Sequence, residues 1–114
     1  MKYLLQIYQG DALETQAGLP EHDQQRVWAD YAAVRETQGV TPGEGLGLPE
    51  TATTVRVVDG QPFITDGPFA ETKEALGGYF LFECDGLEEA LELAARVPAA
   101  RYGGAVEVRP IVEW

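Results

Sequence analysis

Apolar and polar positions alternate along several stretches of the chain, a pattern typical of half-buried β-strands. The pattern predicts strands over residues 3–9, 53–59, 61–65, 76–84 and 105–112. The first of these carries large side chains on both faces, so we expect it to lie in the middle of a sheet. The Asp59-Gly60 dipeptide is a strong hairpin signal between the second and third.

Two other stretches show the longer period of a helix. Residues 20–38 begin with Pro20, place Val27, Trp28, Tyr31 and Val34 on one face, and end before Gly39. A second helix follows Asp85, which forms a capping-box pattern with Glu88, and ends at Pro98. We expect its core face to consist of Leu87, Ala90, Leu91 and Ala94.

The remaining stretches are predicted to be loops. Residues 10–19 contain two glycines among small and polar residues. Residues 40–50 are rich in Gly and Pro, and we allow there a short edge strand.

The order of elements is strand, helix, hairpin, strand, helix, strand, which predicts one α+β domain over residues 1–114. Its usual solution is a ferredoxin-like βαββαβ sandwich, here with an extra hairpin. Two helices cover only one face of such a sheet. However, residues 76–84 place Tyr79 and Leu81 on one face and Phe80 and Phe82 on the other. A second copy of the sheet would cover the bare face, so we expect a symmetric homodimer.

Composition narrows the possible partners. The formal net charge is −11, which disfavours binding to nucleic acid and to anionic membranes and favours solubility. Met1-Lys2-Tyr3 enters a strand rather than a signal peptide, and no apolar run reaches membrane-spanning length. We therefore expect a cytoplasmic protein.

Charged residues cluster just before the strand at residues 76–84. Asp66-Gly67-Pro68 is a turn signal that Phe69 would anchor to the core. The following Glu71, Lys73 and Glu74 are candidates to bind a cationic or hydroxylated ligand, or to act as acid and base. The alternative is a structural turn followed by an ordinary solvated surface, with Asp66 and Lys73 as an ion pair.

Four further residues are ligand-binding candidates. Glu107 and Arg109 lie two apart on one strand and therefore share a face. They would line a cavity or form an ion pair across strands or at an interface. Arg56 belongs with them, and Glu44 lies on a glycine-flanked loop that could close over a pocket.

No cofactor or metal site is predicted. His22 reads as a solvated residue in the first helical turn. Cys84, the one cysteine, has acidic neighbours that disfavour a reactive thiolate, and it can form no intrachain disulfide. The Gly43-x-Gly45-x-Gly47 run follows a helix rather than a strand, which argues against a dinucleotide loop.

Residues 66–74 and 77–80 (DGPFAETKE and GGYF) resemble the DGPF branch of the YCII-related family. Further similar stretches are residues 43–44, 52–56, 98–101 and 106–110. The resemblance implies a ferredoxin-like monomer that assembles into a dimeric α/β barrel. The wider superfamily includes isomerases, monooxygenases, haem-handling proteins and ligand binders, so membership does not specify an activity. Bacterial DGPF proteins also resemble accessory proteins of extracytoplasmic-function sigma factors.

Some relatives carry a His near the start of the first helix and an Asp before a Pro late in the second, proposed as a catalytic dyad. Here His22 stands near the first position, but Val97 precedes Pro98, so the acid is missing. A transferred His–Asp mechanism is not supported.

Two functional hypotheses remain. One is a small-molecule pocket in the dimeric barrel, with cofactor-free acid–base chemistry such as isomerisation as an option. The other is a non-catalytic regulatory module with a protein partner, such as a component of a sigma-factor system. The sequence leaves open whether the protein is an enzyme.

Overall fold

A computed structural model describes residues 1–68 and 75–113. The strands are β1 (Lys2–Tyr8), β2 (Val40–Gly45), β3 (Thr53–Val58), β4 (Gln61–Asp66), β5 (Leu76–Glu83) and β6 (Ala105–Pro110). The helices are α1 (Ala12–Ala17), α2 (Glu21–Arg35) and α3 (Leu87–Arg96). Short 3-10 turns cover Pro49–Thr51 and Pro98–Arg101. This is a mixed α+β fold, as predicted.

Four strands form one antiparallel sheet in the order β2-β5-β1-β6. The central position predicted for β1 is confirmed, because it pairs with both β5 and β6. The edge strand allowed within residues 40–50 is β2. Apart from the β3–β4 hairpin, the order along the chain is β–α–β–β–α–β, counting α1 and α2 together.

The core lies between the helices and one face of this sheet. Tyr3, Leu5 and Ile7 of β1 are buried, together with Phe80 and Phe82 of β5. Helix α2 contributes Val34, and α3 contributes Ala90, Leu93 and Ala94. Alternation along β1 and β5 therefore sorts the residues that pack against helices from those that do not.

The opposite face, which we call the open face, carries the alternate residues. By register it includes Lys2, Leu4, Gln6, Tyr8, Tyr79, Leu81, Glu83, Glu107 and Arg109. Leu4, Gln6, Tyr79 and Leu81 are half-buried rather than buried. The split predicted for β5, with Tyr79 and Leu81 on one face and Phe80 and Phe82 on the other, is confirmed.

The loop predicted over residues 10–19 is wrong, since it contains α1. The two glycines that suggested a loop, Gly10 and Gly18, lie just outside this helix. Between them stand good helix formers, including Leu13 and Glu14, and Ala12 is completely buried. Burial of one small residue against the core is enough to stabilise a short helix that sequence period alone does not reveal.

Helix α3 differs from its prediction in two respects. Its N-cap residue is Gly86, with no side-chain capping hydrogen bond, so the predicted capping box of Asp85 and Glu88 is not formed. Its buried face is Ala90, Leu93 and Ala94, continued by Val97, whereas Leu87 and Leu91 are both half-exposed. The packing stripe therefore includes Leu93, which the prediction omitted, and leaves Leu87 and Leu91 at its edge.

Trp28 also departs from its predicted place in the core. Val27 and Val34 of α2 are buried, but Trp28 is 70% exposed. The buried stripe of α2 is therefore narrow, and α1 packs beside this helix. The strand predicted over residues 105–112 is too long: β6 ends at Pro110, and Val112 lies beyond it and is exposed.

Strands β3 and β4 form a separate two-stranded sheet, which we call the arm. The hairpin is confirmed, and both turn residues, Asp59 and Gly60, adopt positive φ (49° and 78°). The radius of gyration of the Cα atoms is 16.1 Å, whereas a compact chain of this length has about 13 Å. The arm therefore projects from the body of the fold.

No helix among the described residues is both long and apolar enough to cross a membrane.

Candidate functional site

A cavity of about 360 Å³ lies on the helix side of the sheet, between α1, α2 and the ends of β2 and β5. We call it the helix-side cavity. Its apolar walls come from Ile7, Leu13, Val27, Trp28 and Phe80. Its polar side chains are Gln9, Gln16, Gln24, Tyr31, Arg35 and Glu44. A mostly apolar concavity with a few polar groups is the usual form of a small-molecule site.

Gln9 is held at the floor of this cavity by its neighbours. It follows β1, and its backbone N–H donates to the carbonyl of Ala75 at 3.2 Å. A Cβ atom at Gly77 would lie only 2.5 Å from Cγ of Gln9, so the glycine leaves the space that the Gln9 side chain occupies. The next residue, Gly78, is buried and also lines the cavity. The Gly77-Gly78 pair thus serves close packing at this site.

Two amide atoms at the cavity lack hydrogen-bond partners. Oε1 of Gln9 and Nε2 of Gln16 are both buried, and neither has a partner among the residues described. One is an acceptor and the other a donor. Buried polar atoms are normally paired, because leaving one unpaired costs about 1–3 kcal/mol. A bound molecule that donates to Oε1 of Gln9 and accepts from Nε2 of Gln16 would therefore be stabilised here.

The neighbouring Gln24 is fully engaged and shapes the cavity instead. Its Nε2 donates to the carbonyls of Ala17 (3.1 Å) and Leu19 (2.9 Å). These bonds tie the end of α1 to α2, and so fix the angle between the two helices that wall the cavity.

Tyr31 is a half-buried titratable group of the cavity. Burial raises the pKa of its hydroxyl, while hydrogen bonds with the Ala99 backbone and the Gln9 side chain, and the charges of Arg101 and Arg35, act in the opposite direction. Burial prevails, so Tyr31 is neutral at pH 7 and cannot act as a base there. The Arg35 guanidinium lies 6.0 Å from the centre of the Tyr31 ring, a cation–π distance.

Among the described residues, the structure separates most of the predicted site residues from this cavity. Of the candidates, Glu44 lines it. Asp66 and Arg56 are exposed on the arm. Glu71, Lys73 and Glu74 lie outside the described residues, as does Phe69.

Glu107 and Arg109 form an ion pair with each other on the open face. Nε of Arg109 donates to Oε1 of Glu107, and this hydrogen bond raises the pKa of the arginine. Both side chains remain substantially exposed, at 43% and 67%. The ion-pair interpretation of these residues is therefore the one the geometry favours, although the pair lies along one strand rather than across two.

The turn before β5 has a structural role in its described part. Gly67 adopts φ of 99°, its N–H donates to the Ala52 carbonyl at 2.7 Å, and its carbonyl accepts from Oγ1 of Thr54 at 2.7 Å. A residue with a side chain would be strained at this φ. Asp66-Gly67-Pro68 thus closes the base of the arm.

The dyad positions do not form a site. His22 is exposed at the start of α2, and Val97 is completely buried in the core. Cys84 is half-buried against the core, with Sγ 3.3 Å from the Gly86 carbonyl. Within residues 1–68 and 75–113, no three His, Cys, Asp or Glu side chains converge on a point where a metal would bind.

Comparison with known proteins now gives the family. The sequence pattern of the YCII-related domain matches residues 1–114. The chain belongs to the YCII-related domain family. It is also 37% identical over 116 residues to an uncharacterized protein of Rhizobium meliloti, an alignment that covers 97% of this chain and 92% of that protein. Because that relative is itself uncharacterized, it transfers no activity.

Sequence reasoning did not find Gln9, Gln16, Trp28 and Tyr31 as a group. They come from the residue after β1, from α1 and from α2, and they meet where these segments pack around the cavity. The one available signal was Gly77-Gly78, since two glycines inside an apolar strand indicate that something packs closely there.

Proposed function

We propose that this YCII-related protein binds a small, neutral, largely apolar molecule in the helix-side cavity. The unpaired amide atoms of Gln9 and Gln16 are the observation that carries the proposal. A ligand with one donor and one acceptor would satisfy both, and the exposed indole of Trp28 offers a flat surface at the rim. A neutral ligand is favoured because Arg35 and Glu44 are the ionised groups among the described lining residues, and their charges oppose each other.

Three probes of one shape test this proposal: naphthalene-2-carboxamide, 2-methylnaphthalene and 2-naphthoate. The first is neutral and offers a donor and an acceptor, the second offers neither, and the third is an anion. Binding is followed by NMR through the Trp28 indole N–H and the side-chain amides of Gln9 and Gln16. A Trp114→Phe background leaves Trp28 as the one tryptophan, because the chain has two.

We expect the carboxamide to shift all three signals and to bind roughly tenfold more tightly than 2-methylnaphthalene, the factor that one unpaired buried polar group costs. Gln16→Leu should reduce that preference, because Gln9 alone would then bond the carboxamide, whereas Gln25→Leu, an exposed position on α2, should leave it unchanged. The proposal fails if no probe shifts these signals, or if Gln16→Leu leaves the preference unchanged.

A reaction in the same cavity is a further part of the proposal. Cofactor-free acid–base chemistry, such as an isomerisation, would use Glu44 as the carboxylate at the rim and neutral Tyr31 as a proton donor. Glu44→Gln should then abolish turnover of a bound carbonyl compound without weakening its binding. Loss of binding together with turnover would make Glu44 a binding residue only.

We also propose that the protein is a homodimer of ferredoxin-like subunits, joined through the open face in a dimeric α/β barrel, as in the DGPF branch. Three features support it. Leu4 and Leu81 lie half-buried on a face that no core-forming helix covers. Oε1 of Gln6, in the central strand, is buried without a partner among the described residues. The face carries two basic and two acidic residues, so it is neutral although the chain carries −11.

A regulatory module is the second candidate function. The observation that favours it is the outer surface of α3, where half-exposed Leu87 and Leu91 stand among the acidic Glu88, Glu89 and Glu92. Such a surface suits a basic amphipathic segment, such as one in an extracytoplasmic-function sigma factor. Wild-type protein should retain that factor from host extract, and a Leu87→Ser/Leu91→Ser variant should not. Retention by both, or by neither, contradicts this candidate.

A further inference from the structure

The arm, residues Thr53–Asp66, exposes apolar side chains on both of its faces. Only Thr54 among the residues of its two strands is half-buried, and the rest are exposed. Five large apolar side chains are 52–70% exposed: Val55, Val57, Val58, Phe63 and Ile64. By register, Val55 and Val57 share one face with Ile64, while Val58 and Phe63 lie on the other.

An isolated two-stranded hairpin is marginally stable in water, because it has no apolar surface to bury. The described bonds that tie the arm to its base are those of Gly67 with Ala52 and Thr54. They fix where the arm leaves the body but cover none of its valines. No covering surface lies among the described residues of this subunit, and a hairpin so rich in β-branched and aromatic residues is stabilised by one.

The low charge of the arm favours a second copy of this chain as the source of that surface. The arm carries Arg56 against Asp59 and Asp66, a formal charge of 1 − 2 = −1, while the whole chain carries −11. Two copies of an acidic protein repel each other least where they are nearly neutral. The open face meets the same condition, with two charges of each sign.

The exposed apolar area of the arm also favours a second copy of this chain as its partner. The five exposed side chains leave on the order of 500 Å² of apolar surface, divided between the two faces of the arm. A stable interface buries about 800 Å² on each partner. The arm alone falls short of that size, so in a stable dimer it would act together with the open face.

We propose that the arm is an intersubunit arm: in the homodimer proposed above, each arm packs against the other copy of this chain and supplies the part of the interface that the sheets do not. The inference rests on that homodimer but extends it, because two sheets can meet face to face without any contribution from the hairpins. The partner is a second copy, and the contact is apolar and built on Val55, Val57 and Ile64.

Sedimentation equilibrium on three single variants separates the possibilities. Val57→Asp alters the arm, Leu81→Asp alters the open face, and Leu91→Asp alters a half-exposed leucine of α3 as the matched control. We expect the wild type to dimerise at micromolar concentration and Val57→Asp to weaken dimerisation roughly a hundredfold, as loss of a central apolar contact does. Leu91→Asp should dimerise like the wild type.

A monomeric wild type overturns both the homodimer and the arm. If Leu81→Asp weakens the dimer while Val57→Asp does not, the sheet contact stands and the arm inference falls. Trypsin cleavage of the wild type after Arg56 provides a second measurement that needs no variant to fold. Raising the protein concentration through the dissociation constant should slow this cleavage at least tenfold, and cleavage at an unchanged rate contradicts the inference.

Discussion

Strands in the body of this protein and in its arm show the same alternation of apolar and polar residues. They differ in what their apolar residues contact. In β1, every second residue is buried against helices. In β3 and β4, the valines, Phe63 and Ile64 are as apolar and remain exposed. Alternation therefore specifies a strand, while a covering element specifies burial. The body contains its covering helices, whereas among the described residues no element covers the arm.

Truncation of one apolar side chain in each region should give the largest difference. Leu5 in β1 is completely buried, and Ile64 in β4 is 66% exposed. Leu5→Ala should lower the free energy of unfolding by about 2–5 kcal/mol through lost burial and a residual cavity. Ile64→Ala should cost the dissociated subunit under about 1 kcal/mol, because it removes little buried area. Urea unfolding at low protein concentration measures both, and equal losses would contradict the comparison.

Replacing one glycine by alanine in each region should show the same contrast in the free energy of unfolding, with smaller losses. A Cβ at Gly43 in the body would lie 2.3 Å from the Tyr79 carbonyl and 2.5 Å from its ring, whereas Gly60 in the arm has nothing within 4 Å. Gly43→Ala should therefore cost roughly 1–3 kcal/mol through steric overlap. Gly60→Ala should cost only about 1 kcal/mol, from the positive φ of the turn. Thermal unfolding of the two variants ranks them, and the reverse order would refute this view of the packing.

The half-buried Tyr31 of the body should produce a dependence of stability on pH that the exposed arm lacks. Its pKa is raised from the ordinary value of 10.0 by burial. Below pH 10 both folded and unfolded forms hold the proton, so pH has no effect through this group. As pH rises above 10, the unfolded chain loses the proton first, and the folded state loses stability until its own raised pKa is passed. Tyr31→Phe should flatten this decline in urea unfolding, and an unchanged decline would exclude Tyr31 as its source.

The smallest effect is expected at the surface of the body. Arg101 and Asp30 form an ion pair whose side chains are 37% and 36% exposed. Solvent screening limits such a pair to about 0–1 kcal/mol. Asp30→Asn should therefore shift the urea midpoint only slightly, and less so in high salt. A loss as large as that of Leu5→Ala would mean that this pair stabilises the contact between α2 and residues 98–101 far more than its exposure implies.

The fold was largely predictable because its strands and two longer helices depend on local pattern. The alternation of β1, the apolar run of β5 and the Asp59-Gly60 turn each predicted its element correctly. Helix α1 was missed, because its six residues carry no repeated stripe and its stability comes from burying Ala12. Tertiary packing decided that segment, and no local rule anticipates it.

The candidate site was less predictable for a related reason. Charged residues drew attention to Arg56, Asp66, Glu107 and Arg109, which lie on the arm or the open face. The cavity instead uses neutral amides, Gln9 and Gln16, whose importance depends on burial without a partner. Burial is a property of the assembled helices and sheet, so composition and motif could not reveal it.

Amide hydrogen exchange of the wild type, measured across a range of protein concentrations, tests the comparison most directly. Amides of β1 should exchange slowly and equally at every concentration, because the body covers that strand itself. Amides of β3 and β4 should exchange rapidly in dilute solution and become protected as concentration rises, if a second copy covers the arm as proposed. Protection of the arm that is already complete in the monomer, or that never develops, would contradict this account.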